Sequence, residues 1–227
     1  MITDFTKQVE LIEVEKFEIP IHVVGVGSLG SWVTHFLLKM GFKNITIWDF
    51  DTIEEHNLPN QFYREKDIGK SKVDATGQLY LEFFTDEEYR IKTNHIKLTE
   101  QNANALEGIV FMCVDSMAVR KELYEMAVKY GQKNIQMWIE ARLSIFGAYM
   151  YTITKRNTDV FNEYEKTLYD DEEAEVSVCG VSQTALPSAT NTASMMVMQM
   201  ISWWRGNDVY NKIEWSIPDL TVFKERW

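Results

Sequence analysis

The first part of the chain alternates short apolar, β-branched runs with longer segments in which apolar residues recur every three or four positions. This pattern predicts strands separated by helices. The predicted strands are Ile21–Val26, Asn44–Phe50, Arg90–Lys97, Gly108–Asp115 and Ile135–Leu143. The predicted helices are Ser28–Met40, Lys70–Phe84, Gln101–Leu106 and Met117–Tyr130. Repeated strand–helix–strand units favour right-handed crossovers and a largely parallel sheet with helices on both faces.

The pattern changes after Leu143, where Phe146–Lys155 follows too soon for a crossover helix and is predicted as an antiparallel strand. Residues 156–178 are polar, lose periodicity and end in an acidic cluster, so we predict a long mobile loop, either simply solvated or docking a basic partner surface. A helix over residues 184–204 and one or two strands within Lys212–Lys224 complete the chain. The prediction is a Rossmann-like α/β fold with a mixed sheet, parallel first and antiparallel at the C-terminal end.

Composition narrows the class of protein. The chain has 227 residues, 45% of them hydrophobic, and no Pro/Gly/Ser-rich linker, which predicts one domain over residues 1–227. A formal charge of -11 opposes general binding to nucleic acid. The most apolar segment, Ala193–Trp204, is far shorter than the roughly 20 residues that span a bilayer, so no membrane span is predicted. Met1–Pro20 lacks a cationic stretch followed by an apolar core, and we expect a cytoplasmic protein.

A glycine-rich turn is the sharpest local signal. The run Gly-Val-Gly-Ser-Leu-Gly, with glycines at Gly25, Gly27 and Gly30, follows the first predicted strand and opens a helix. Such glycines permit a tight turn and let backbone N–H groups approach a phosphate. The next strand ends in Asp49, about 20 residues on, where a carboxylate accepts from ribose hydroxyls, and Asp51 either joins it or starts the following turn. These features fit a nicotinamide dehydrogenase as well as an adenylating enzyme.

A more specific resemblance lies in the segments that follow. Ile45–Leu58, then Gln61-Phe62, then Asp67–Lys72 resemble the second strand and phosphate-site segment of the ThiF, MoeB and ubiquitin-activating (E1-like) superfamily. Cys113–Asp115, followed by Arg120, resembles the strand end where that family holds its magnesium-linked aspartate. The resemblance implies an enzyme that uses ATP and Mg²⁺ to adenylate the C-terminal carboxylate of a ubiquitin-like or sulfur-carrier protein ending in Gly-Gly.

The same resemblance implies roles for individual residues. Lys72 should contact the phosphates, Asn57 and Gln61 should help to bind the nucleotide, and Asp115 should hold magnesium. Adenylation requires a carboxylate to attack the α-phosphorus of ATP, so the site must neutralise the triphosphate and stabilise departing pyrophosphate. Asp115 also ends a predicted strand, where open α/β sheets bind ligands. An N-cap role for Asp115, on the helix that starts near Met117, is an alternative.

Two departures from the family pattern leave other functions open. Asn60 stands where the family usually has an arginine, and an uncharged amide cannot replace that cation. Arg64, one helical turn later, is the candidate replacement. No arginine precedes Arg64, so the arginine that some relatives donate to a partner subunit's nucleotide has no equivalent. A noncatalytic partner subunit and an NAD-dependent oxidoreductase therefore remain alternatives.

The two cysteines differ in context. Cys179 lies between the predicted loop and the last helix, where ThiF-like relatives have a cysteine that accepts the acyl group, so it is the candidate for thioester formation. A small buried residue is the alternative for Cys179. Cys113 lies within an apolar run and is predicted to be a core residue. Paired Cys-x-x-Cys motifs are absent from the sequence, so no zinc is predicted.

The last predicted helix is apolar on nearly every side between Met195 and Trp204. Such a helix is buried either in a core or at a subunit interface, and its methionines can adapt to irregular contacts. Since the superfamily that the chain resembles is commonly dimeric, we expect a homodimer. An intrachain core helix is the alternative.

Overall fold

The computed structural model describes residues 4–8, 10–14, 17–84, 91–131, 134–171 and 185–227. Within these ranges the strands are β1 Ile21–Val24, β2 Ile45–Asp49, β3 Lys92–His95, β4 Gly108–Met112, β5 Ile135–Leu143, β6 Gly147–Ile153, β7 Lys212–Ser216 and β8 Thr221–Glu225. The α-helices are α1 Gly30–Met40, α2 Lys72–Phe83, α3 Met117–Leu123, α4 Thr158–Glu165 and α5 Leu186–Trp204.

The strands form one mixed sheet in the order β3-β2-β1-β4-β5-β6-β7-β8. Strands β1 to β5 pair in parallel, whereas β6, β7 and β8 are added by antiparallel pairing. This confirms the predicted Rossmann-like sheet with a parallel N-terminal part and antiparallel C-terminal strands. The chain leaves β1 toward β2 on one side and returns to β4 on the other, so β1 and β4 flank the topological switch point. A ligand crevice is expected at the carboxyl ends of these strands.

Both faces of the central strands are covered, and β1, β2 and β4 are therefore buried along their whole length. Apolar side chains of α1, α2 and α5 pack on one face, and those of α3 and α4 pack on the other. Within α5, Met196 and Met200 are fully buried, and the helix packs on α1, β5 and β6. Helix α5 is thus a core helix of this chain, which was one of the two alternatives. None of the described helices is long and apolar enough to cross a membrane.

The loop predicted for residues 156–178 is wrong in its first part, where Thr158–Glu165 forms α4. The Asn157 side chain caps this helix by accepting a hydrogen bond of 2.9 Å from the Val160 N–H. Val160 and Tyr164, four positions apart on one helix face, are both fully buried. The helix was missed because only these two apolar positions mark its buried side. Residues 172–178 of the predicted loop lie outside the described residues.

Two other predicted helices differ from the structure. Only a 3₁₀ turn, Ala103–Ala105, forms within the helix predicted at Gln101–Leu106. The helix predicted over Met117–Tyr130 is α-helical to Leu123 and continues as a π-helix over Tyr124–Lys129. Periodicity cannot separate these forms, because 3₁₀, α and π turns differ by roughly half a residue to one residue per turn, and segments this short do not reveal the difference.

Candidate nucleotide site

The glycine-rich turn lies where β1 meets α1, and its three glycines have different surroundings. Gly25 has φ +84°, and a Cβ there would lie 2.9 Å from the Cys113 carbonyl oxygen, while a Cβ on Gly30 would lie 1.8 Å from the Gly25 carbonyl oxygen. A Cβ on Gly27 would meet no atom within 4 Å. Gly25 and Gly30 are thus required for packing, whereas Gly27 leaves space for a ligand to approach the backbone. Leu29 occupies the N-cap position of α1 without a side-chain bond. The N–H groups of the second and third residues of α1 donate to backbone carbonyls at 3.1 Å, so these two amides are already satisfied within the turn.

Asp49 lies directly beside this turn. Parallel pairing of β1 and β2 aligns Val24 with Trp48, so the ends of the two strands coincide. The buried Asp49 carboxylate accepts a 2.7 Å hydrogen bond from the Val26 N–H and a 2.8 Å bond from the Asp51 N–H. These bonds hold the glycine turn against β2. Because each carboxylate oxygen has more than one lone pair, the same group can also accept from a ribose hydroxyl.

Lys72 and Asp51 form an ion pair between the segment after β2 and the start of α2. The Lys72 side chain is only 8% exposed, and its Nζ lies 2.9 Å from Asp51 Oδ2, whose side chain is 48% exposed. A backbone hydrogen bond of 3.0 Å from the Lys72 N–H to the Asp51 carbonyl fixes the two segments. A buried ammonium requires an anionic partner. The structure therefore shows a buried cation, the Lys72 ammonium, at the start of α2. Its counter-ion, Asp51, is accessible to solvent.

Asn57 and Gln61 belong to the loop between β2 and α2. Asn57 is buried, and its Oδ1 accepts a 2.9 Å bond from the Glu54 N–H, which fixes the orientation of the side-chain amide. Gln61 Oε1 is buried and has no hydrogen-bond partner within the described part of the chain. An unsatisfied buried acceptor costs about 1–3 kcal/mol. A ligand hydroxyl, or a ligand acceptor if the amide is turned round, would satisfy Gln61.

Arg64 makes contacts that favour a structural role over the phosphate contact predicted for it. Its Nε donates to Asp67 Oδ2 at 2.7 Å, and its Nη1 pairs with Glu82. Asp67 is fully buried and is also paired with Lys70 at 3.0 Å. Burial alone would raise the pKa of Asp67, but hydrogen bonds from Arg64 and Lys70 lower it to about 2. The Arg64 charge is thus already neutralised by two carboxylates, one in the loop before α2 and one near the end of that helix.

Asp115 is exposed and lies in the short segment between β4, which ends at Met112, and α3. The N-cap of α3 is Ser116, whose Oγ accepts from the Val119 N–H at 3.3 Å, so the capping alternative for Asp115 is wrong. The segment adjoins the glycine turn because the Cys113 N–H donates to the Val24 carbonyl at 2.8 Å. Within the described ranges no group of three or more His, Cys, Asp or Glu residues could hold a metal. A magnesium ion at Asp115 would therefore need phosphate oxygens and waters as further ligands.

The predictions for the two cysteines have different outcomes. Cys113 packs against the core as predicted, and burial raises the pKa of its thiol well above the usual range. A thiol that resists ionisation is a poor nucleophile, so Cys113 is not an alternative acceptor for an acyl group. Cys179, the candidate acceptor, lies outside the described residues.

Three charged residues near the site were missed by the sequence analysis: Glu140, Arg142 and Asp171. Glu140 and Arg142 lie two positions apart in β5 and are both buried. The available signal was a pair of opposite charges two positions apart in a largely apolar strand. This spacing places both side chains on the same face of the sheet. Asp171 gave no signal, because its contacts are with residues more than 50 positions away in the sequence.

Fold and site together define a Rossmann-like α/β domain with a glycine-rich turn at the switch point of its sheet. The chain belongs to the ThiF family, whose family model matches residues 14–220. This confirms the family resemblance found in the sequence.

Individual relatives agree with this family. Ubiquitin-like modifier-activating enzyme 5 of Dictyostelium discoideum is 27% identical over 135 residues, covering 54% of this chain and 34% of that protein. Adenylyltransferase and sulfurtransferase MOCS3 of Anopheles gambiae is 31% identical over 131 residues, covering 55% of this chain and 29% of that protein. The matched region thus spans about a third of the length of these curated relatives.

A solved structure shows the same fold. Escherichia coli MccB, crystallised with AMPCPP and MccA, superposes with a TM-score of 0.74 at 15% sequence identity. The superposition covers 96% of this chain and 66% of MccB. At this level of identity the similarity is evidence about the fold alone.

Proposed function

We propose that this chain uses Mg-ATP to adenylate the C-terminal carboxylate of a ubiquitin-like or sulfur-carrier protein, or of a peptide. The observation that carries the proposal is the buried Lys72 ammonium, paired with the half-exposed Asp51, whose N–H donates to the same Asp49 carboxylate that binds the glycine turn. A triphosphate can replace Asp51 as the partner of this cation. The family and the names of its relatives, which include a modifier-activating enzyme and an adenylyltransferase, support this class of reaction.

The residues present fit the nucleotide. Gly27 leaves open space for a phosphate, Asp49 can accept from ribose, and the unsatisfied Gln61 Oε1 needs a partner that a nucleotide can supply. Lys72 would bind the phosphates, with the NH₂ group of Asn57 as a second donor. The exposed Asp115 carboxylate would hold magnesium, which supplies charge neutralisation when it is bound.

In the proposed reaction, a substrate carboxylate oxygen bonds to the α-phosphorus as the bond to the pyrophosphate oxygen breaks. The electron pair of that bond leaves with pyrophosphate. Lys72 would offset the negative charge that gathers on this leaving group, and burial strengthens that effect because water screens the ammonium less. Transfer of the acyl group to Cys179, assembly as a homodimer and a cytoplasmic location remain predictions from the sequence.

Isotope exchange tests the proposal. The purified chain, with Mg²⁺, ATP and candidate carriers ending in Gly-Gly, should move label from pyrophosphate into ATP only when a carrier is present. Lys72→Met should abolish exchange, whereas Lys70→Met should retain it, because Lys70 pairs with Asp67 instead. Exchange that is equal in the two variants would contradict the role of Lys72.

A noncatalytic partner subunit is the second candidate, and Arg64 favours it. The arginine usual at position 60 is replaced by Asn60, and Arg64 is occupied by Asp67 and Glu82. If another chain supplies the missing cation, the purified protein will bind ATP but will exchange pyrophosphate only when that chain is added. Exchange by the purified protein with its carrier alone removes this candidate.

A further inference from the structure

A buried cluster of charges lies beneath the ends of β4 and β5. The Glu140 carboxylate is fully buried, and it lies 2.8 Å from Arg142 Nη2 and 3.0 Å from Arg120 Nε. Tyr164 of α4 donates to the same carboxylate at 2.6 Å. Two buried arginines therefore share one buried carboxylate, and a tyrosine supplies a further hydrogen bond.

The arginines also bind backbone in separate segments. Arg120 Nη2 donates to the Val114 carbonyl at 2.6 Å and to the Ala141 carbonyl at 3.3 Å. It thereby ties α3 to the residue immediately before Asp115. Arg142 donates through Nη1 to the Thr167 carbonyl and through Nη2 to Thr167 Oγ1 at 3.1 Å. One charge cluster thus connects the Asp115 segment to the chain that follows α4.

The chain that follows α4 is docked beside Asp115 by a second set of contacts. The Asp171 carboxylate accepts hydrogen bonds from the Met117 N–H, from the Ala118 N–H at 3.2 Å and from the Ser116 hydroxyl at 3.1 Å. Asp170 pairs with Lys121 of α3 at 2.6 Å. Residues 167–171 are therefore held at both ends, by Arg142 and by the start of α3.

Stability alone does not account for this cluster. Burying charges carries a desolvation penalty that an ion pair often fails to recover, and apolar residues of similar volume often stabilise a core as well. Here two cations share one anion, which leaves an excess positive charge in the interior. What the arginines provide, and apolar residues could not, is a set of directed bonds to Val114, Ala141 and Thr167.

We propose that Arg120, Glu140 and Arg142 are positioning residues that hold Asp115 and residues 167–171 in a fixed arrangement at the edge of the nucleotide site. The effect of these residues on magnesium binding rests on the proposed function. Their contacts with the Asp115 segment and with residues 167–171 are present in the chain without any ligand. Loosening the cluster should raise the magnesium concentration that ATP binding requires, because Asp115 would then be less well placed to hold the ion.

Hydrogen exchange of backbone amides in the ligand-free chain tests directly whether the cluster holds these two segments in place. Arg142→Lys keeps the charge beside Glu140 but cannot reach both Glu140 and Thr167 with a planar fork. Exchange at the Met117 and Ala118 amides should rise about tenfold, the factor expected from the loss of a hydrogen bond to a charged group. Exchange in β1 should not change. Arg142→Met should raise the exchange rate of these two amides further. If Arg142→Met does not fold, the result for Arg142→Lys alone decides whether the inference holds.

Glu165→Gln is the matched control for this experiment. Glu165 lies on α4 and pairs with Lys129 at 2.7 Å, so its substitution disturbs α4 without removing a bond to Val114 or Thr167. It should leave the Met117 and Ala118 amides unchanged. Unchanged exchange in Arg142→Lys, or an equal rise throughout the chain including β1, would overturn the inference.

Calorimetric titration with ATP at several Mg²⁺ concentrations provides the second test. Arg142→Lys should raise the Mg²⁺ concentration for half-maximal ATP binding by about threefold or more, while binding at saturating Mg²⁺ stays near that of the wild type. An unchanged magnesium requirement would overturn the inference. If the wild-type chain binds no ATP, the proposed function fails, and hydrogen exchange still decides whether the cluster holds the two segments.

Discussion

At the scale of single residues, the ion pair between Lys72 and Asp51 is the clearest sign of an anion site. Lys72 is desolvated, whereas Asp51 remains half exposed and can move away into solvent. The sequence predicted both residues near a nucleotide, but it could not show that they bind each other. Nor could it show that Arg64 is already occupied, since its partner Glu82 lies 18 positions away.

Asp51→Asn tests whether this carboxylate competes with phosphate. Removing its charge should tighten ATP binding about threefold, because the phosphates no longer displace a carboxylate from Lys72. The ligand-free chain should lose about 1–3 kcal/mol of unfolding free energy, since the buried ammonium loses its charged partner. Calorimetry with ATP and chemical denaturation measure the two effects. Weaker ATP binding would show instead that Asp51 contacts the nucleotide or its metal.

At the scale of secondary-structure elements, predictability followed the local signal. The strand predicted at Ile135–Leu143 has those bounds, and the other central strands were found because their residues are mainly apolar and β-branched. Helix α4 was missed because a tertiary contact, the burial of Val160 and Tyr164, stabilises a segment that is otherwise polar. The local sequence pattern is sufficient to predict an element that is buried on both faces. It is insufficient for a helix that contacts the core through only a few apolar residues.

The N-cap of α4 gives a prediction at this scale. Asn157→Ala removes the side-chain acceptor of the Val160 N–H and should lower the free energy of unfolding by about 1 kcal/mol. Asn162→Ala, on the exposed side of the same helix, is the control and should not destabilise the chain. Chemical denaturation measures both. An equal loss in the two variants would contradict the capping role.

The pairing of β1 with β2 predicts a dependence on pH. Trp48 Nε1 donates to His22 Nδ1 at 3.1 Å, and burial, with the nearby Lys92, lowers the pKa of His22 from 6.5 to about 4. The unfolded chain therefore binds a proton more readily, so His22 should reduce stability as pH falls from about 6.5 toward 4. His22→Gln should flatten this part of the stability curve, measured by denaturation at several pH values. A slope unchanged in the variant would contradict the assignment.

At the scale of the whole molecule, strand order explains why a candidate site can be predicted from the sequence. Consecutive strand–helix units predict a doubly wound sheet, and such a sheet brings the ends of β1, β2 and β4 together at its switch point. Gly27 and Asp115 come after β1 and β4, and Asp49 ends β2, so the strand order puts all three residues at this end of the sheet. The charge cluster around Glu140 could not be predicted, because it depends on how α3, β5 and the chain after α4 pack in three dimensions.

The most direct test of the central claim is calorimetric titration of ATP, in the presence of Mg²⁺, into the wild-type chain and into Lys72→Met and Lys70→Met. We predict that the wild type binds ATP, that Lys72→Met weakens binding at least about tenfold by removing a charge-assisted contact, and that Lys70→Met binds within about twofold of the wild type. The absence of ATP binding by the wild type, or equal binding by Lys72→Met, would contradict the account.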